Sequence, residues 1–191
     1  MATWPSTSEV AQVAERPPRQ APLYWLALGT FAIGTEGFMI AAILPNIAAD
    51  LVVSVALAGS LISIFALAYA ISSPILTALT GRVDRRKLLL AAMTIFSLAN
   101  VVAASTQTYW GLAAARVLLA CAAGLYTPNA NALASALVPP ERRGRAIAIV
   151  NGGLTVAIAV GVPLGAVVGN RLGWRMTFVG VAVARNEAMN E

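Results

Sequence analysis

The chain has 191 residues, 59% of them hydrophobic and only 11% charged, with 13 Lys and Arg against 8 Asp and Glu. Soluble domains carry roughly a quarter charged residues, so this balance excludes an ordinary soluble fold and points to a polytopic membrane protein. The net charge of +5 does not mark a nucleic-acid binder, because the basic residues sit in the breaks between apolar stretches and no basic helix face carries interleaved aromatics.

Residues 1–20 read as a polar, disordered tail with Arg16, Pro17, Pro18 and Arg19. Five apolar spans follow, over 23–44, 55–79, 88–105, 109–137 and 146–169, near the length of about 20 residues that a helix needs to cross hydrocarbon. The first is longer than the core of a cleaved leader, typically about 7–15 residues, and is expected to be retained. Tyr24, Trp25, Tyr109, Trp110 and Trp174 fall at span edges, where amphipathic rings settle at headgroup level. With the N-terminus inside, Arg16, Arg19, Arg82, Arg85, Arg86, Lys87, Arg142, Arg143 and Arg145 are cytoplasmic, and only Arg171 and Arg175 are external. The positive-inside rule therefore expects a cytoplasmic N-terminus. After Arg175, the run 176–184 is too short to span and is followed by Arg185, Asn186 and Glu187. It reads as the start of a sixth, truncated span, within an incomplete bundle over 21–191.

Within the spans lie one carboxylate, Glu36, and one arginine, Arg116. Both are expected roughly 10–13 Å below the outer surface, close enough to meet if their helices are neighbours. A charge at that depth costs several kcal/mol unless paired or wetted. A carboxylate held in a low-dielectric cavity can take up and release a proton near neutral pH. A static pair that merely neutralises its own burial is the alternative. Tyr126, Asn129 and Asn131 follow Arg116 on the same span and are candidate cavity residues, although asparagines in spans more often bond between helices.

Two further patterns stand out. Gly153, Ala157, Gly161, Gly165 and Gly169 recur at intervals of four, with Pro163 among them, a stripe on which another backbone can approach closely. The break Gly81, Arg82, Val83, Asp84, Arg85, Arg86, Lys87 reads as a topology anchor, with Asp84 suited to a charge-assisted bond to a helix end or a neighbouring arginine. There is no histidine and a single cysteine, Cys121, among alanines. An internal disulfide is excluded, a metal or haem site is not expected, and Cys121 reads as a small packing residue. No nucleophile–base constellation can be assembled, so neither an enzyme nor a cofactor is expected.

In order, several segments resemble the major facilitator superfamily, in particular its bacterial drug–proton antiporter and sugar or purine efflux branch. They are Gly34-Thr35-Glu36-Gly37-Phe38, Leu44-Pro45-Asn46-Ile47-Ala48, Thr80-Gly81-Arg82-Val83-Asp84-Arg85-Arg86-Lys87, Arg116, Glu141-Arg142-Arg143-Gly144-Arg145-Ala146, Gly161-Val162-Pro163-Leu164-Gly165 and Leu172-Gly173-Trp174-Arg175. The resemblance covers residues 23–178. It implies an all-α membrane fold, the N-terminal half of a twelve-span transporter, in a bacterial inner membrane. It further implies small-molecule efflux driven by protons through alternating access of two six-helix bundles. The turn over 81–87 would gate one conformation, Arg116 would serve proton coupling or substrate charge, and the small-residue stripe would pack on the opposite bundle. The chain departs from the family pattern at Thr80 and Lys87, where glycines are usual, and at Leu119 and Ala120, where glutamine and glycine often follow the arginine. With five spans and a fraction, the stripe would face lipid, and transport would need a C-terminal half, self-association or a separate partner. A non-transporting half-bundle that binds or regulates another membrane protein is the alternative.

Overall fold

The computed structural model describes residues 21–180; the tail read as disordered and the end of the sixth apolar run lie outside them. The described chain is helical: α1 Ala21–Asp50, α2 Val55–Leu79, α3 Arg85–Ser105 and α4 Tyr109–Ala136, then a short 3-10 turn Pro140–Arg142. A fifth span follows as α5 Arg143–Val156, a π-helical segment Ala157–Gly161 and α6 Val162–Leu172. A further helix begins over 174–180. Five of these stretches are long and apolar enough to cross a membrane, so the expected all-α membrane architecture holds.

Local chemistry sets the boundaries. The Ser54, Asp84 and Thr108 side chains cap α2, α3 and α4 by accepting from backbone N–H groups of the first turn. Asp84 accepts from Arg86 N at 2.8 Å and Lys87 N at 3.3 Å, which starts α3 at Arg85 rather than near 88. Gly173, at φ 90°, separates α6 from the helix over 174–180, a conformation that costs glycine little.

The first helix runs past the expected end at 44. Pro45 lies inside α1, and proline removes one donor and disfavours helix in the residue before it. The extension is held by tertiary contacts: Ile47 and Ala48 are buried, and Asn46 Nδ2 donates to Asn170 Oδ1 at 2.7 Å.

The packing divides into two groups. In one, α4 is packed against both α2 and α3; in the other, α1 lies along α5, the π-helical segment and α6. The groups join where α2 meets α1 and where α4 meets α5. Small residues set the closest approaches. A Cβ on Gly124 would stand 3.2 Å from the Ser73 backbone on α2. A Cβ on Gly153 would collide with the Ala27 carbonyl, 2.9 Å from its carbon.

This corrects the expectation for the stripe in the fifth span. Gly153, Ala157, Gly161, Gly165 and Gly169 are all buried, and they face α1 rather than lipid or an opposing bundle. Cβ atoms on Gly161, Gly165 and Gly169 would strike Thr35, Met39 and Ile43, and Ala157 lies opposite Gly34. Pro163 is exposed and lies off the stripe.

Candidate functional site

Glu36 on α1 and Arg116 on α4 form a salt bridge through Oε1 and Nη1, and both side chains are 0% exposed. The two helices make few backbone contacts with each other, so these long side chains bridge the space between them. The bond is single. Glu36 Oε2 and Arg116 Nε and Nη2 are buried without a hydrogen-bond partner. A buried pair stays worth its desolvation only if its remaining polar atoms are satisfied. This pair therefore retains one acceptor and two donor groups able to engage a third polar group. Beneath the guanidinium lies the Phe65 ring of α2, its centroid 4.3 Å from Arg116 Cζ, within cation–π range.

The other candidates separate into distinct settings. Tyr126 donates its hydroxyl to the Leu26 carbonyl at 3.0 Å, and its ring end occupies the space left by the absent side chain of Gly29. Asn129 donates to Leu125 O, one turn back in its own helix, at 2.7 Å. Asn131 is half-buried with Oδ1 unpartnered. None of the three bonds to Glu36 or Arg116. Tyr126 instead lines a cavity of about 390 Å³, together with Trp25, Thr35, Met39, Leu89 and Met176. Gly81 and Arg82 lie in an exposed turn, Asp84 follows at its end, and Arg85, Arg86 and Lys87 are exposed on the first turn of α3. There Asp84 takes the helix-end option, bonding the start of α3. Cys121 is a free thiol of intermediate burial.

A second polar cluster, at the opposite end of the bundle from that turn, is one that sequence reasoning missed. Arg175 Nη1 pairs with Asp50 Oδ2, while Arg175 Nη2 donates to Thr106 O at 3.1 Å. Trp174 Nε1 donates to the same Asp50 oxygen at 3.1 Å, and the Arg175 guanidinium lies 4.3 Å from the Trp174 ring. Trp174, expected at headgroup level, is 3% exposed and packs edge-on against Phe178. Tyr109 is likewise buried, its hydroxyl paired with Ser60 Oγ. The indole N–H and the phenol each find a polar partner, which offsets the cost of burying these edge aromatics. The one advance signal was that Asp50, Trp174 and Arg175 all stand at or just beyond the ends of apolar spans.

Comparison with known proteins agrees with this architecture. Residues 26–184 match the Major Facilitator Superfamily. The chain is 43% identical over 162 residues to the chloramphenicol resistance protein of Streptomyces lividans, covering 85% of this chain and 41% of that protein. It is 37% identical over 161 residues to the inner membrane transport protein YdhP of Escherichia coli K12, covering 84% and 41%. The fold resembles the crystal structure of a bacterial homologue of the human lysosomal transporter Spinster, with a TM-score of 0.79 at 23% identity over 92% of this chain and 42% of that one. It equally resembles a peptide transporter, POT, with a TM-score of 0.79 at 16% identity over 96% and 41%. The chain thus spans about two fifths of the length of these relatives, and on the match over most of its length it belongs to the Major Facilitator Superfamily.

Proposed function

We propose that this chain forms the N-terminal half of a bacterial inner-membrane exporter that exchanges small molecules for protons, with Glu36 and Arg116 as the coupling pair. The observation that carries the reading is the buried, singly bonded ion pair with three unpartnered polar atoms. Arg116 is the charged group that faces Glu36. Protonating Glu36 weakens its hold on Arg116 and frees the guanidinium for another partner. Movement between the two would make the proton affinity of Glu36 depend on conformation. The likeness to a chloramphenicol resistance protein supports efflux as the direction and a drug-like molecule as the substrate class; sugars or nucleoside-like molecules are the other classes that the family resemblance allows. The basic turn over 81–87 would face the cytoplasm together with the N-terminus, and would act as the gate.

The test is the pH dependence of substrate flux in vesicles carrying the assembled transporter. Glu36→Gln is expected to abolish proton-driven exchange while leaving downhill substrate exchange measurable. Unchanged proton dependence would remove Glu36 from the mechanism.

A second reading is a half-bundle that binds another membrane protein. It draws on the exposed faces of α2 and of the fifth span, whose most apolar windows are 11% and 17% buried against 61% for α4. The occupant that reading expects is another membrane protein, such as a full-length permease, which the half-bundle would bind or regulate without itself transporting.

A further inference from the structure

Glu36 and Arg116 are 0% exposed, although the backbones of the helices that carry them approach each other at few points. Something must close the space between α1 and α4, and on the α2 side it is Phe65. Its ring lies against the Arg116 guanidinium. It also reaches the backbone beside the acid: a Cβ on Gly37 would stand 3.8 Å from Phe65 Cε1 and Cζ. One ring therefore spans from the cation to the residue following Glu36. Phe65 is itself only half-buried, and Ile62, Ala66 and Leu67 around it on α2 are exposed, so the ring stands at the border between the pair and the outside. Tyr69, one turn further, stacks against it at 6.3 Å between centroids and 18° between planes.

The chemistry of that contact differs from a polar one. An aromatic face attracts a guanidinium without taking up its N–H groups, and Arg116 Nε and Nη2 are indeed unpartnered. The ring stabilises the charge where it is, yet it can swing away without breaking a hydrogen bond. From this geometry we infer that Phe65 is the lid through which water and protons reach Glu36. It is a positioning residue that acts on the ion pair rather than a group that itself exchanges protons. The inference rests on the coupling role proposed for the pair.

The lid can be tested on the purified 191-residue chain in detergent with dicyclohexylcarbodiimide, an apolar reagent that adds to protonated carboxyl groups, with adduct formation at Glu36 followed by mass spectrometry. In the unsubstituted chain the adduct is expected to form slowly. Phe65→Ala is expected to raise the initial rate at least about tenfold, and Phe65→Leu to raise it less. Phe65→Tyr, which keeps the ring, is expected to restore the slow rate. As a control for general loosening, Phe96→Ala removes a ring that is 1% exposed on α3 and is expected to leave the Glu36 rate low. An unchanged rate in both Phe65→Ala and Phe65→Leu overturns the lid. So does an equal rise in Phe96→Ala, or the absence of any Glu36 adduct in all variants. A rate in Phe65→Ala that rises as pH falls supports titration of Glu36 behind the lid. A clear Phe65 effect that is flat with pH leaves the lid standing and sinks the coupling role instead.

Discussion

At the scale of single residues, Glu36 and Arg116 were the most legible part of the site, because each is the sole charge in its apolar span. What the sequence could not convey is that they bond through one oxygen and one nitrogen and leave the rest of their polar atoms unpartnered. Phe65 was invisible for a related reason. An aromatic ring in an apolar helix has no compositional contrast, and only the register of α2 against α4 shows that it lies under a guanidinium. The burial of the pair gives a stability prediction. Arg116→Met leaves Glu36 buried without its cation and is expected to cost about 3–5 kcal/mol, whereas the combination with Glu36→Gln should recover most of that loss. Denaturant unfolding of the purified variants at neutral pH measures both, and equal losses in the single and double variants would show that the pair is not coupled.

At the scale of elements, a period of four in the fifth span announced a close helix contact but not its partner. Spacing describes one helix; which neighbour fills its groove depends on the whole arrangement, and here the neighbour is α1. The same limit explains Pro45. Local rules end a helix near proline, while burial of Ile47 and the Asn46–Asn170 bond hold α1 together beyond it. Adjacent glycines in α5 provide a direct test of the contact. A Cβ at Gly153 meets the Ala27 and Phe31 backbone, which cannot swing away, but at Gly152 it meets nothing within 4 Å. Gly153→Ala is expected to destabilise by about 1–3 kcal/mol through overpacking. Gly152→Ala should stabilise by roughly 0.5–1 kcal/mol through helix propensity alone. Thermal unfolding of the two variants side by side distinguishes them, and similar effects would argue against the α1–α5 contact.

At the scale of the molecule, membrane insertion and the all-helical class were plain from composition and span length, since hydrocarbon leaves few alternatives to a helix. The pairing of helices was not, because interior and lipid-facing positions are equally apolar in these spans. On the proposed function, two half-bundles must enclose the substrate between them. Purified, chemically monomeric 191-residue chain in liposomes is therefore expected to give no substrate-dependent flux, and flux from such monomers would overturn that expectation. The cluster around Asp50 has a meaning in time as well. Asp50 bonds to Arg175 across 125 positions of sequence, and chains are synthesised at about 5–20 residues per second, so roughly 6–25 s separate the making of the two partners. The segments of α2, α3 and α4 pack on near neighbours and can assemble as they emerge. The first span to be made depends for most of its packing on the fifth, and so among these five it is the one that has to wait.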